Sequence, residues 1–187
     1  MVKAIRIQQV GGPEVMRVEQ WENAIEQGEH AARRLLAEGL IGQALVVDLD
    51  VHQGDGTARI FEGDPSVFTF SMHAAKNFPA RKAVSDLDLE LPDGTGDEAY
   101  LAVLAEWLPV LIGRVAPDIV FFNAGVDPHA GDKLGRLSLS DAGLRRREAY
   151  VLETCRARDL PLAGVIGGGY DADIGRLADR HAILHRT

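Results

Sequence analysis

Val46-Val47-Asp48-Leu49-Asp50-Val51-His52-Gln53-Gly54-Asp55-Gly56 joins an apolar run to a row of acids and one histidine. The run that begins at Ala44 lacks polar alternation, so it reads as a strand covered on both faces. Residues two apart on an extended chain point the same way, so Asp48, Asp50 and His52 share one side. Carboxylate oxygen and imidazole nitrogen converging at a strand's C-terminal end suit a divalent zinc or iron ion. Taken alone, the same pattern equally suits a polar strand end that caps the next helix.

Outward from this stretch, strands and helices alternate. Val2–Val10 reads as a strand closed by Gly11-Gly12-Pro13, and Trp21–Glu38 has helical spacing with Gly39 as its stop. A short helix is expected from Gly56 to Phe61, then strands at Ser66–Ser71 and Asp86–Leu91. Asp97–Val115 reads as a long helix and Asp118–Asn123 as a buried strand. Ser140–Arg158 is a helix capped by Ser140 or Asp141, Leu162–Ile166 the last strand, and Asp171–Ala182 a terminal helix. This order predicts an α/β fold with a mainly parallel, doubly wound sheet, whose ligands bind beyond the C-terminal strand ends.

Three further strand ends carry chemistry at that rim. Asp127 follows the strand ending at Asn123, and with Asp50 and His52 it makes a three-ligand set that leaves coordination positions open. Before Pro128, Asp127 also suits a plain turn. Gly167-Gly168-Gly169 precede Tyr170, whose phenol would donate to an oxyanion, although the triple glycine also suits a tight turn. Ser71 and His73 end a third strand, His73 reading as a structural histidine. Arg145-Arg146-Arg147 reads as a solvated helix face and Cys155 as a packing residue.

The chain has 187 residues, a net charge of −8 and a single cysteine. That length predicts one domain with a sizeable core. The acidic balance argues against nucleic acid or an anionic membrane as partner, and no apolar run reaches spanning length. A lone cysteine allows no intrachain disulfide and suits a cytoplasmic location.

As a set, DLDVHQGDGT (48–57), SMHAAKNFP (71–79), SDLDLELPDGTGDEAY (85–100), NAGVDPHAGDKLGRLSLSDAGL (123–144) and IGGGYD (166–171) resemble the arginase/deacetylase superfamily. More narrowly, they are similar to bacterial relatives of class IV histone deacetylases. The resemblance runs from about residue 31 to the C-terminus and implies the superfamily's three-layer sandwich. It implies Asp50, His52 and Asp127 as ligands of Zn2+, with Fe2+ as the alternative. It also implies Tyr170 as the group that polarises the acyl carbonyl, and Phe78, Gly168 and Gly169 along the substrate channel. Asp48 and Ser71 would fall at a structural K+ site, and Asp55 and Asp48 would orient catalytic imidazoles.

The family's tandem His-His, at its usual spacing, would fall near Gly11-Gly12-Pro13, where no histidine stands. Met1–Val18 instead resembles the start of quinone oxidoreductases, too briefly to carry a nicotinamide site. The expectation is therefore a truncated deacetylase-like domain over residues 21–187 behind a foreign leader over 1–20. His129 is the favoured substitute base, ahead of His30 and His73. The expected chemistry is zinc-dependent hydrolysis of a small-molecule or acyl substrate, weak on acetyl-lysine amides and open to activated esters or phosphotriesters. The alternative is an inactive metal-binding remnant. Deleting sheet edges leaves two solutions, Val2–Val10 pairing as a replacement edge strand or two chains covering each other, and the expectation is a homo-oligomer with the leader at its interface.

Overall fold

Strand β3 (Ala44–Asp48) sits where its composition demands, in the middle of the sheet with both faces covered. The computed structural model describes residues 3–7, 16–20 and 24–187, with side chains from residue 28 onward. Within it, β3 pairs in parallel with β4 (Val67–Ala74) on one side and β6 (Ile119–Asn123) on the other. Beyond these lie β5 (Leu87–Leu91) and β7 (Leu162–Val165), giving the order β5-β4-β3-β6-β7 with every pair parallel. The expected α/β sheet is therefore present.

The period of two along β3 divides the core into two layers. Leu45 and Val47 face helices α3 (Asp97–Val115), α4 (Asp141–Arg156) and α6 (Ile183–Arg186), where Leu104, Leu108, Leu144, Val151 and Ile183 are buried. Ala44 and Val46 face α1 (Ala24–Ala37) through Ala32 and Leu35. Helices on both faces make a three-layer sandwich. Helix α1 stops as expected: Gly39 takes φ +66, and the Gly39 and Leu40 amides donate to the Leu36 and Leu35 carbonyls.

Three parts of the chain differ from expectation. Among the described residues at the N-terminus, β1 (Lys3–Ile7) pairs antiparallel with a second strand, β2 (Met16–Gln20), in a two-stranded sheet. Gly11-Gly12-Pro13 and the start of the helix expected at Trp21 lie outside the described residues. Strand β4 runs three residues past Ser71, because β5 continues the pairing to Ala74↔Leu91. The terminal helix is two pieces, α5 (Ile174–His181) and α6, and starts later because Asp173 caps Arg176. The short helix α2 spans Asp55–Ile60, close to its predicted place.

The third arginine of Arg145-Arg146-Arg147 corrects the expected solvated face. Arg147 is fully buried, donating to the Leu49 carbonyl at 3.0 Å and to Glu148 at 2.5 Å. No helix among the described residues is long and apolar enough to cross a membrane.

From β3 the chain proceeds outward to β4 and β5, then returns through α3 to β6 on the other side of β3. The crevice between β3 and β6 is thus the point where strand order reverses, and ligands of such sheets bind outside the strand ends there.

Candidate metal centre

Asp48 and Asn123 end their strands at the same register, so the segments Leu49–His52 and Ala124–Asp127 leave the sheet side by side. A ladder bond from the Leu49 amide to the Asn123 carbonyl, 3.1 Å, keeps them parallel for one more step. Asp50, His52 and Asp127 then converge, with one ligand atom from each lying within 4.8 Å of the others. Asp50 Oδ1 accepts from the His52 amide at 2.8 Å and lies 2.9 Å from the His52 Nδ1. Asp127 Oδ1 accepts from the Val51 amide at 2.8 Å, which ties the two segments together.

Glycines make this approach possible. A Cβ on Gly125 would lie 2.5 Å from Asp50 Oδ2, and one on Gly168 would lie 2.3 Å from Asp127 Oδ2. Gly168 also takes φ +62, a region L-residues with side chains disfavour. Its backbone therefore rests directly against both carboxylates. Gly168 thus backs the carboxylates, and Gly169 packs against Leu177 and Val126.

The electrostatics call for a cation. Burial raises Asp127 above the ordinary carboxylate range, and the neighbouring Asp50 raises it further. Asp48 is raised by burial and then by Asp50. The Asp127 and Asp50 carboxylates hold His52 protonated up to about 10. Asp127 Oδ2 is fully buried, 3.2 Å from His52 Nδ1, with no donor in hydrogen-bonding geometry. Such an atom is costly to leave unmet. Two carboxylates and one imidazole are also a donor set that zinc or ferrous iron accepts. The residues fit a divalent ion.

Around the triad the expected residues divide. Tyr170 and Phe78, both more than half exposed, line a cavity of about 530 Å3 together with His52 and Leu134. A second cavity of about 370 Å3, also bordered by His52 and Phe78, reaches Asp48, Asp55 and Glu29. Asp48 Oδ1 accepts from the Asp50 amide and from Asn123 Nδ2, so it holds the strand end in shape. Ser71 sits beside Asp48 in register, and its hydroxyl lies 2.9 Å from His73 Nδ1. Asp55 faces the second cavity and pairs with Arg59 one turn along α2.

His129 is not delivered to the triad. Its Nδ1 accepts from the Gly131 amide at 2.8 Å and its Nε2 lies 3.2 Å from Asp141. Both nitrogens of the favoured substitute base are spent on its own loop and on the start of α4. Sequence reasoning missed Asn123, whose signal was a polar residue closing an apolar strand at Asp48's register. It also missed Gln53, which bridges to Ala83 and Asp88 and braces the loop carrying Phe78.

Fold and site together define a three-layer α/β domain with a two-carboxylate, one-imidazole triad that could hold a metal ion at the sheet's switch point. The chain belongs to the histone deacetylase domain family, whose profile matches residues 29–184, and so to the arginase/deacetylase superfamily. It is 56% identical over 157 residues to an uncharacterized protein of Picosynechococcus sp., covering 84% of this chain and 52% of that one. It is 31% identical to a probable deacetylase of Methanothermobacter thermautotrophicus, covering 79% of this chain and 46% of that one. The acetylpolyamine aminohydrolase of Burkholderia pseudomallei shares the fold with a TM-score of 0.72 at 23% identity, over 85% of this chain and 48% of that one. The chain thus spans about half the length of these relatives.

Proposed function

We propose that this chain is a zinc-dependent hydrolase of acyl compounds, with ferrous iron as the alternative metal. The observation that carries this reading is the convergence of Asp50, His52 and Asp127 beside a cavity that Tyr170 also lines. A divalent ion held by these three residues supplies Lewis acidity toward a carbonyl oxygen and toward water. The chain's own residues do the rest. Asp50 and Asp127 fix the charge and position of the ion, and the proton on His52 Nδ1 has to leave before that nitrogen coordinates. Tyr170 donates a hydrogen bond to the carbonyl oxygen as it gains charge. Phe78 and Leu134 flank the acyl group and reduce its contact with water.

Substrate preference follows from what supplies protons. Amides need an acid to protonate the departing amine, and losing general acid–base help costs about 10²–10⁴ in rate. The His129 ring is committed elsewhere, so the reading favours activated esters or phosphotriesters, whose leaving groups depart unprotonated. The same commitment favours a second reading, a metal-binding domain without turnover. Zinc-loaded and chelated protein compared on a nitrophenyl ester and on an acetyl-lysine peptide decides between them. Chelator-sensitive ester hydrolysis, lost in Asp50→Ala and Asp127→Ala, is the expected result. Ester turnover unaffected by chelation would overturn the hydrolase reading, and none at all would leave the metal-binding one.

A further inference from the structure

Tyr170 is 53% exposed, so packing alone does not hold its ring in the cavity it shares with His52. Its backbone is held instead, from both sides, by the loop that follows the metal ligand Asp127. The Tyr170 amide donates to Asp132 Oδ2 at 2.6 Å, and the Tyr170 carbonyl accepts from the Lys133 amide at 3.2 Å. Upstream, Gly168 and Gly169 take φ of +62 and +95, a pair of turns with wide conformational freedom in the unfolded chain. Downstream, Arg180 of α5 clamps Asp171 at 2.7 Å and Asp141 at 3.1 Å. Between the two glycines and that clamp, the charge-assisted bond to Asp132 is the short one.

We propose that Asp132 is a positioning residue: it fixes Tyr170 relative to Asp127 and thereby sets the distance from the phenol to the metal centre. The proposal rests on the hydrolytic reading above, in which Tyr170 touches the carbonyl oxygen. Asp132 is suited to the task because its two oxygens have separate duties. Oδ1 accepts from the Leu134 and Gly135 amides at 2.8 and 2.7 Å and so shapes its own turn. That turn is tight, since a Cβ on Gly135 would lie 2.1 Å from the Asp127 carbonyl oxygen. Oδ2 reaches across to Tyr170. One carboxylate therefore joins the loop of a metal ligand to the loop of the oxyanion donor.

This division makes Asp132→Asn a selective probe. An asparagine keeps its carbonyl oxygen on the two turn amides, because flipping the amide would sacrifice two acceptor contacts to regain one. Its NH2 then faces the Tyr170 N–H, donor against donor. The turn survives and the anchor is lost.

Two measurements on the full chain test this. Amide hydrogen exchange in Asp132→Asn is expected to rise about tenfold or more at Tyr170, with Leu134 and Gly135 protected as in the wild type. In zinc-loaded protein, ester kcat is expected to fall about ten- to a hundredfold with KM and zinc affinity unchanged. The fall is expected to vanish in a Tyr170→Phe background, since the anchor acts only through the phenol. Unchanged exchange at Tyr170 overturns the proposal, as does a kcat loss that persists undiminished beside Tyr170→Phe. Raised exchange at Tyr170 in Asp132→Asn, together with no ester hydrolysis by the zinc-loaded wild type, would sink the hydrolase reading and leave the anchor standing.

Discussion

Arg147 shows what a single residue hides in a linear reading. Three arginines in a row on a helix look like a solvated face, yet helical geometry spreads them over more than half a turn, and the third points inward. There it meets Glu148, Tyr100 and the carbonyl of Leu49, which lies between Asp48 and Asp50. Only the tertiary position of β3 reveals that. Removing one member of such a buried pair leaves the other charge unmet. Arg147→Met is expected to cost about 3–5 kcal/mol in denaturant unfolding, and Arg147→Met with Glu148→Leu to recover most of it. Equal losses in the single and double variants would show that the ion pair is not what the site depends on. Gly168 differs: its place at the site was legible in the sequence, but its contact with two carboxylates was not. Its missing Cβ makes room for Asp127 Oδ2, so Gly168→Ala is expected to weaken zinc binding about 10–100-fold by competition with a chromophoric chelator. Unchanged affinity would mean that the loop yields without moving the carboxylates.

At the scale of elements, legibility followed the strength of local signals. Strand β3 and helix α3 appear with the bounds their patterns predict, because β3 is an apolar run closed by Asp48 and α3 a long apolar-striped segment opening after Gly96. Boundaries set by partners in space were not readable: β4 outruns its apolar pattern because β5 extends it, and α5 stops at a junction with α6. The start of α4 was readable from Ser140, but what that residue does beyond capping was not. Its hydroxyl accepts from the Gly143 amide at 3.0 Å and donates to Asp97 Oδ2 at 2.6 Å, while its own amide donates to Asp97 Oδ1 at 2.8 Å. The first turns of α3 and α4 are thus fastened together, and Gly143 leaves the room for it, since a Cβ there would lie 2.0 Å from Asp97 Oδ1. Ser140→Ala is expected to cost about 1–2 kcal/mol of unfolding free energy. Because the junction lies on the helical layer, zinc affinity is expected to stay unchanged. A matched loss of both would place the junction in the metal site's support.

For the whole molecule, the charges beneath the site couple stability to pH and metal together. Without metal, Asp48, Asp127 and His52 hold more protons than the same groups do unfolded. Asp48 and Asp127 are raised by burial and by Asp50, and His52 is raised to about 10 by Asp127 and Asp50. A raised folded-state pKa gives stability that is present at lower pH and lost as pH climbs through the folded value. For the carboxylates that loss begins above their ordinary range, and for His52 it runs from 6.5 up through about 10. His181 and His73 pull the other way. Burial lowers both, His181 to about 4, so they cost stability as pH falls below 6.5. Above neutrality the triad therefore dominates, and the metal-free chain weakens as pH rises. A divalent ion reverses that trend, because it binds the deprotonated ligands and replaces the protons they hold. Each proton displaced makes affinity rise about tenfold per pH unit. The zinc-induced gain in Tm is thus expected to grow steadily from about pH 6 to about pH 8, and in Asp127→Asn to be small throughout. A zinc shift independent of pH would mean that His52 carries no proton between its two carboxylates, and the charge balance that makes this triad a metal site would be wrong.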